Sequence, residues 1–200
     1  MSNLLKKFNS ISVRDNNSYE IVKTLTGTTP ILNLDPALVS GINQLKLPKV
    51  NIKNYIIVYA YTGRILDDEK VAIKKFAKDN NKKIISLGYY HDFVDKVIVC
   101  NPYKVLAYIK NADYVITDTF HGTIFSAIFE KKFVSLIRKS NKEKLTDLLI
   151  RLNLEDRKLT DINEVGNIIN KEINYEKVSN IIEQEKIKTK QYLLYNINGE

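Results

Sequence analysis

The chain has 200 residues, 44% of them hydrophobic, and a formal net charge of +8, enough to bury one substantial core in one domain or a little more. Its longest apolar runs, such as Tyr55 to Tyr61 and Tyr114 to Ile116, fall far short of the roughly 20 residues of a membrane span, and Met1-Ser2-Asn3-Leu4-Leu5-Lys6-Lys7 lacks the basic-then-apolar order of a secretory signal. A single cysteine, Cys100, excludes an internal disulfide, and two histidines beside it make a poor inventory for structural zinc. The expectation is a soluble protein of the reducing cytoplasm with no metal or other cofactor.

A charge of +8 invites a nucleic-acid or membrane-surface reading. The lysines, however, are scattered beside Asp and Glu, and the richest cluster, Lys186-Ile187-Lys188-Thr189-Lys190, falls in the last expected helix. A solvated helix face is expected there, and no nucleic-acid partner. A positive field still serves to gather anionic substrates, or to hold the chain at the anionic inner face of a membrane.

In chain order, a helix is expected over Asn17 to Leu25 and a strand over Ile31-Leu32-Asn33-Leu34, closed by Asp35-Pro36. Tyr55 to Tyr61 is almost continuously apolar and reads as a central strand covered on both faces. Asp67 to Asp79 follows as a helix with Val71, Ile73, Phe76 and Ala77 inward and acidic residues at its start. Strands are expected at Lys83 to Leu87, Val97 to Val99, Tyr114 to Thr117 and Phe133 to Ile137. Helices are expected from Pro102 to Asn111, from His121 to about Lys131, and over Lys142 to Leu152, Ile162 to Glu172 and Tyr175 to Leu194. Strands alternating with helical patterns of roughly 10–15 residues imply βαβ units on a parallel sheet. The expected fold class is therefore α/β, a Rossmann-like doubly wound parallel sheet over residues 46–174, with residues 175–200 as a C-terminal helix. Residues 1–45 supply too little for a core of their own and read as a remnant of a preceding domain, joined through Lys46-Leu47-Pro48-Lys49.

Ligands of open α/β sheets bind beyond the carboxyl ends of the strands, where helix amino termini offer unpaired N–H groups. Asp118-Thr119-Phe120-His121-Gly122 falls at such a place. Asp118 or Thr119 can cap the following helix, Gly122 lets a ligand or a neighbouring group approach, and His121 in the first turn suits a proton donor, a hydrogen-bonding partner for an anion, or a structural cap. No Gly-x-Gly-x-x-Gly follows a strand and no Gly-Lys-Ser/Thr phosphate loop exists, which removes support for dinucleotide oxidoreductases and nucleoside triphosphatases. His91 beside Asp92 reads as a surface loop residue and Cys100 as a small buried apolar one. Arg14, between a short strand and a helix start, can grip a carboxylate or phosphate through its planar fork or form an ordinary ion pair with Asp15 or Glu20.

Three segments in fixed order carry a resemblance: Ser12-Val13-Arg14-Asp15 with Ser18, then Leu34-Asp35-Pro36-Ala37-Leu38, then Ala112 through Gly122. Together with Phe133-Val134-Ser135-Leu136-Ile137 and Leu152-Asn153-Leu154-Glu155-Asp156-Arg157, this pattern resembles the polysaccharide pyruvyl transferase family. The resemblance implies two Rossmann-like domains in the arrangement called GT-B, and transfer of pyruvate from phosphoenolpyruvate to sugar hydroxyls as a ketal during cell-surface polysaccharide synthesis. It implies His121 as general acid or phosphate partner, and Arg14, Asp118, Thr119 and Gly122 as substrate-binding positions. The partners implied are phosphoenolpyruvate and a sugar or lipid-linked saccharide. Many relatives carry Arg-Leu-His where this chain has Thr119-Phe120-His121, so one cationic contact with the donor is expected to be missing or supplied from elsewhere. Family members also have a longer first domain, so a fragment, a split gene product or a degraded relative is expected, with self-association through apolar surface left on residues 1–45. Two other readings stay open: a GT-B glycosyltransferase using a nucleotide sugar, and a remnant that acts only by binding.

Overall fold

The computed structural model describes residues 2–199, and its larger sheet begins in the middle. Strand β3 (Tyr55–Tyr59) leads out one way through β4 (Lys83–Leu87) to β5 (Lys96–Ile98); the chain then returns to β3's other side with β6 (Tyr114–Thr117), followed by β7 (Lys132–Leu136) and β8 (Lys158–Leu159). All pairs are parallel, in the order β5-β4-β3-β6-β7-β8. The strand order reverses between β3 and β6, where Ile56 pairs with Tyr114 and Tyr59 with Thr117. This is the doubly wound Rossmann topology, with its ligand crevice expected at that reversal.

The apolar runs of the central strands follow from the pleat, because successive side chains serve opposite cores. Tyr55 and Ile57 face one core, Ile56 and Val58 the other; Val115 and Ile116, and Phe133 and Val134, divide in the same way. One core is closed by helices α5 (Pro102–Asn111), α6 (Phe120–Ile128) and α7 (Lys142–Arg151), through Leu106, Ile109, Ile124 and Leu148. The other is closed by α4 (Asp67–Asp79) and α8 (Val165–Asn170), through Ile73, Phe76, Val165 and Ile169. Helix starts are set by short polar side chains: Asn101 accepts from Lys104 N at 3.0 Å ahead of α5, with Pro102 at its first position, and Glu69 accepts from Leu66 N at 2.9 Å at the start of α4.

The amino-terminal part is a small parallel βαβ unit. Strands β1 (Ser12–Val13) and β2 (Ile31–Leu32) pair Ser12 with Ile31 and Val13 with Leu32, and α2 (Asn16–Thr26) crosses between them, following a short α1 (Ser2–Leu5). Leu34, and Leu38 from α3 (Pro36–Val39), join the core of the larger sheet. Arg151 of α7 donates to Arg14 O at 2.9 Å and Asn33 O at 3.1 Å, and Lys188 of the long α9 (Tyr175–Asn198) donates to Leu32 O at 2.7 Å. Leu4 and Phe8, each 65% exposed, leave apolar surface on this unit.

Several expectations are corrected. The strand expected to end at Tyr61 ends at Tyr59, and the helix expected over Ile162 to Glu172 is a 3-10 turn, Ile162–Glu164, running into the shorter α8. Val71 is 68% exposed rather than inward, because a helix on one sheet face buries only a stripe. His91 is buried, not a surface loop residue: its Nε2 lies 3.0 Å from Ala60 O, which secures the end of β3.

Candidate functional site

The junction from β6 to α6 is held by a closed set of hydroxyl contacts. Thr117 donates to Tyr59 O at 2.6 Å and accepts from Thr119 N at 3.0 Å, while Thr119 Oγ1 accepts from Gly122 N at 2.9 Å as the helix cap. A Cβ on Gly122 would stand 2.1 Å from Thr117 Oγ1 and 2.7 Å from Thr119 Oγ1. Glycine is required here by neighbouring side chains. Thr119 and Gly122 are both buried, and the bonds just described are spent on building the helix start.

That start presents Phe120 and His121 outward. His121 is exposed, its ring 5.8 Å from Phe120 edge-on and 5.9 Å from Phe125 stacked. Around the same Phe120 ring stand two cations: Arg14 Cζ at 5.7 Å and Lys144 Nζ at 4.7 Å from the centroid. Arg14 is held there by an ion pair with the buried Asp35, whose other oxygen accepts from Ala37 N at 3.0 Å. Asp35, rather than Asp15 or Glu20, is thus the partner of Arg14; Asp15 instead caps α2 through Ser18 N at 2.8 Å. Beside Arg14 opens a cleft of about 590 Å³ lined by the cations Arg14, Lys139, Lys142 and Lys144 and the carboxylates Asp15 and Glu143, with Ser18 and Asn141 at the starts of α2 and α7. Four cations against two carboxylates leave the cleft net positive, and the amino terminus of α7, whose cap residue Asn141 makes no side-chain cap bond, adds to that, whereas the α2 start is already capped by Asp15. His121 does not line it, but shares the Phe120 neighbourhood with Arg14.

Asp118 points elsewhere. It is fully buried beside the β3–β6 reversal, where Oδ1 accepts from Tyr61 N at 3.3 Å and Oδ2 has no hydrogen-bond partner. Arg64 Nη1 lies 3.8 Å and Arg138 Nε 3.9 Å from Oδ2. Arg138 is tied to Glu69 by two bonds of 2.7 and 2.6 Å, yet its Nε is also unpaired. Burial pushes the Asp118 carboxyl above its ordinary range, against the opposing pull of the Tyr61 N–H, the two arginines and His91. Arg64, Arg138, Glu69 and Lys144 were not singled out from the sequence. The usable signal was position, since Arg64 and Arg138 both stand just past the carboxyl ends of strands, at Thr62-Gly63-Arg64 and Ile137-Arg138. Among the described residues, no three of His, Cys, Asp and Glu are grouped to hold a metal ion, and no helix is long and apolar enough to cross a membrane.

A doubly wound parallel sheet with polar groups gathered at its carboxyl edge places the chain in the class of Rossmann-type folds from which GT-B transferases are built. More specifically, the family model for polysaccharide pyruvyl transferase matches residues 1–141, and the chain belongs to that family. Among solved structures, an O-GlcNAc transferase of Thermobaculum terrenum is 10% identical with a TM-score of 0.51, and the match covers 90% of this chain and 42% of that one. The glycotransferase of kitacinnamycin (11% identity, TM-score 0.47, 73% of this chain and 42% of that one) and the glycosyltransferase SnogD from Streptomyces nogalater (11%, 0.41, 84% and 58%) are more distant in shape. The chain thus spans less than two thirds of the length of these structures. No curated protein matches it.

Proposed function

We propose that this chain carries the donor-binding side of a pyruvyl transfer site, taking phosphoenolpyruvate as donor and a sugar or lipid-linked saccharide of surface polysaccharide synthesis as acceptor. The observation that carries the reading, beside family membership, is the cationic cleft of Arg14, Lys139, Lys142 and Lys144, with His121 across the Phe120 ring. Phosphoenolpyruvate has a carboxylate and a phosphate, which need separate partners. Arg14 offers a planar fork to one, and the lysines with the α7 amino terminus neutralise the other. Lys144 stands where a cation is needed beside Phe120, since Thr119 supplies none.

In the reaction so read, His121 protonates the methylene carbon of the enol. The central carbon becomes electrophilic, a sugar hydroxyl adds to it and returns its proton to the now neutral His121, phosphate departs with its bonding pair, and a second hydroxyl closes the ketal as its proton passes to the departing phosphate. The exposed, unbonded His121 ring is free to approach such a ligand, and Arg14, fixed by Asp35, loses little freedom on binding. Attraction of the net positive chain to an anionic membrane would bring it to a lipid-linked acceptor.

Calorimetric titration tests the binding step, with phosphoenolpyruvate in one arm and a uridine diphosphate sugar in the other, followed by phosphate release with a saccharide acceptor. Phosphoenolpyruvate is expected to bind, with Arg14→Lys weakening it and His121→Ala lowering turnover about 10²–10⁴-fold with binding retained. Binding of the nucleotide sugar alone would overturn the donor assignment in favour of glycosyl transfer. Unchanged turnover in His121→Ala would leave that residue as part of the helix start.

A further inference from the structure

We infer that a second subsite, for a pyranose ring of a saccharide, lies at the β3–β6 reversal and is formed by Tyr61, Tyr89, Arg64 and Arg138 around Asp118. Three buried side-chain atoms lack a hydrogen-bond partner among the described residues, and two of them, Asp118 Oδ2 and Arg138 Nε, face each other at 3.9 Å. One is an acceptor and the other a donor. A simple anion would satisfy Arg138 and repel Asp118, and a simple cation the reverse. A hydroxyl both donates and accepts, so one hydroxyl group completes both orphans. Left empty, each of these two buried atoms forgoes a hydrogen bond that the 3.9 Å ion pair between them does not replace.

Arg64 is the part-exposed cation beside this pair. Its guanidinium makes no hydrogen bond among the described residues, lies 3.8 Å from Asp118 Oδ2 and 4.6 Å from the centre of the Tyr61 ring. It follows the Thr62-Gly63 turn, where Gly63 has φ +77°, and its side chain is 37% exposed. Tyr61 is 42% exposed and meets Tyr89 edge-to-face at 5.0 Å, with Tyr59 behind at 6.1 Å. Exposed aromatic faces beside a carboxylate and guanidinium donors match a pyranose, which has an apolar face of C–H groups and a rim of hydroxyls. In this arrangement the ring lies over Tyr61, Arg64 swings from the tyrosine to a ring oxygen, and one hydroxyl enters between Asp118 and Arg138. Naming this sugar the acceptor rests on the pyruvyl transfer proposed above. The subsite itself stands on the orphaned pair and the aromatic platform.

Saturation-transfer NMR on the 200-residue protein with the methyl gluco-, galacto- and mannopyranosides tests it, alongside phosphoenolpyruvate titration on the same samples. At least one pyranoside is expected to receive saturation at its ring protons. Tyr61→Ala and Arg64→Ala should each weaken that binding about tenfold with phosphoenolpyruvate affinity unchanged. Arg14→Lys should do the opposite, which separates failure of the subsite from failure of the donor reading. Asp118→Asn keeps the size of the side chain but replaces an acceptor oxygen by a donor, and should also weaken the sugar. No transfer to any of the three pyranosides would overturn the inference and leave ordinary water as the group completing the pair. So would transfer that survives in both Tyr61→Ala and Arg64→Ala.

Discussion

At the residue scale, Asp118 shows how a buried carboxylate costs stability. Its carboxyl is fully buried with one oxygen unsatisfied, and burial raises its pKa despite Arg64, Arg138 and the Tyr61 N–H. A carboxyl whose pKa is higher in the folded than in the unfolded state favours folding while it is neutral. That contribution is full below the ordinary carboxylate value and is lost as pH rises through the folded value. Asp118→Asn, which is neutral at every pH, is therefore expected to be more stable than the wild type at pH 7, with the difference shrinking as the pH falls below the carboxylate range. Thermal melts of both proteins across acid and neutral pH check the sign. A variant less stable than wild type at pH 7 would mean that the two guanidiniums more than offset the burial of the charge.

At the scale of elements, the β6–α6 junction depends on Gly122, because Thr117 Oγ1 is pinned by its 2.6 Å bond to Tyr59 O and cannot retreat from an added methyl group. Gly122→Ala is expected to cost about 1–3 kcal/mol, lowering the thermal midpoint by about 3–10 °C. Differential scanning calorimetry would read the shift, and an unchanged midpoint would show that Thr117 can move. Much of this scale was legible in the sequence. Alternation between two cores made β3 and β6 continuously apolar, and helix starts were marked by Pro102 and Thr119, whereas Asp35-Pro36, read as the close of a strand, also opens α3. What escaped was structure fixed by distant partners. Strand β8 is two residues long with too short a pattern to read, and it exists because Lys158 and Leu159 pair with Ser135 and Leu136. Arg157, fully buried, is paired with the adjacent Asp156 and donates to Ile168 O at 2.8 Å and Lys171 O at 3.1 Å. The Glu155-Asp156-Arg157 segment thus closes the end of α8, a role invisible in local pattern. Among the candidate site residues, strand ends marked Asp118 to Gly122. Nothing local could show that Arg14 would meet Phe120, or that Arg64 and Arg138 would converge on Asp118.

At the scale of the whole molecule, the cleft beside Arg14 is a seam, with Arg14 and Ser18 on the small βαβ unit and Lys139 to Lys144 on the large sheet's β7–α7 connection. Its shape therefore depends on how firmly the two parts are joined. Arg151 is the main polar tie: it donates to Arg14 O and Asn33 O and pairs with Glu185 of α9 at 3.1 Å. A two-stranded parallel pair has little stability of its own, so loosening this tie is expected to act locally. Arg151→Ala should speed amide exchange in residues 12–34 while β3, β6 and β7 keep their protection. It should also weaken phosphoenolpyruvate binding, because Arg14 would no longer be fixed opposite Lys144 and the cost of ordering it would fall on the ligand. Hydrogen exchange followed by mass spectrometry, with titration of the same variant, reads both effects. Faster exchange throughout the chain would show one cooperative unit. Unchanged ligand affinity with a loosened amino-terminal unit would separate Arg14 from the donor site, because a guanidinium that binds a ligand cannot lose its mounting without loss of affinity.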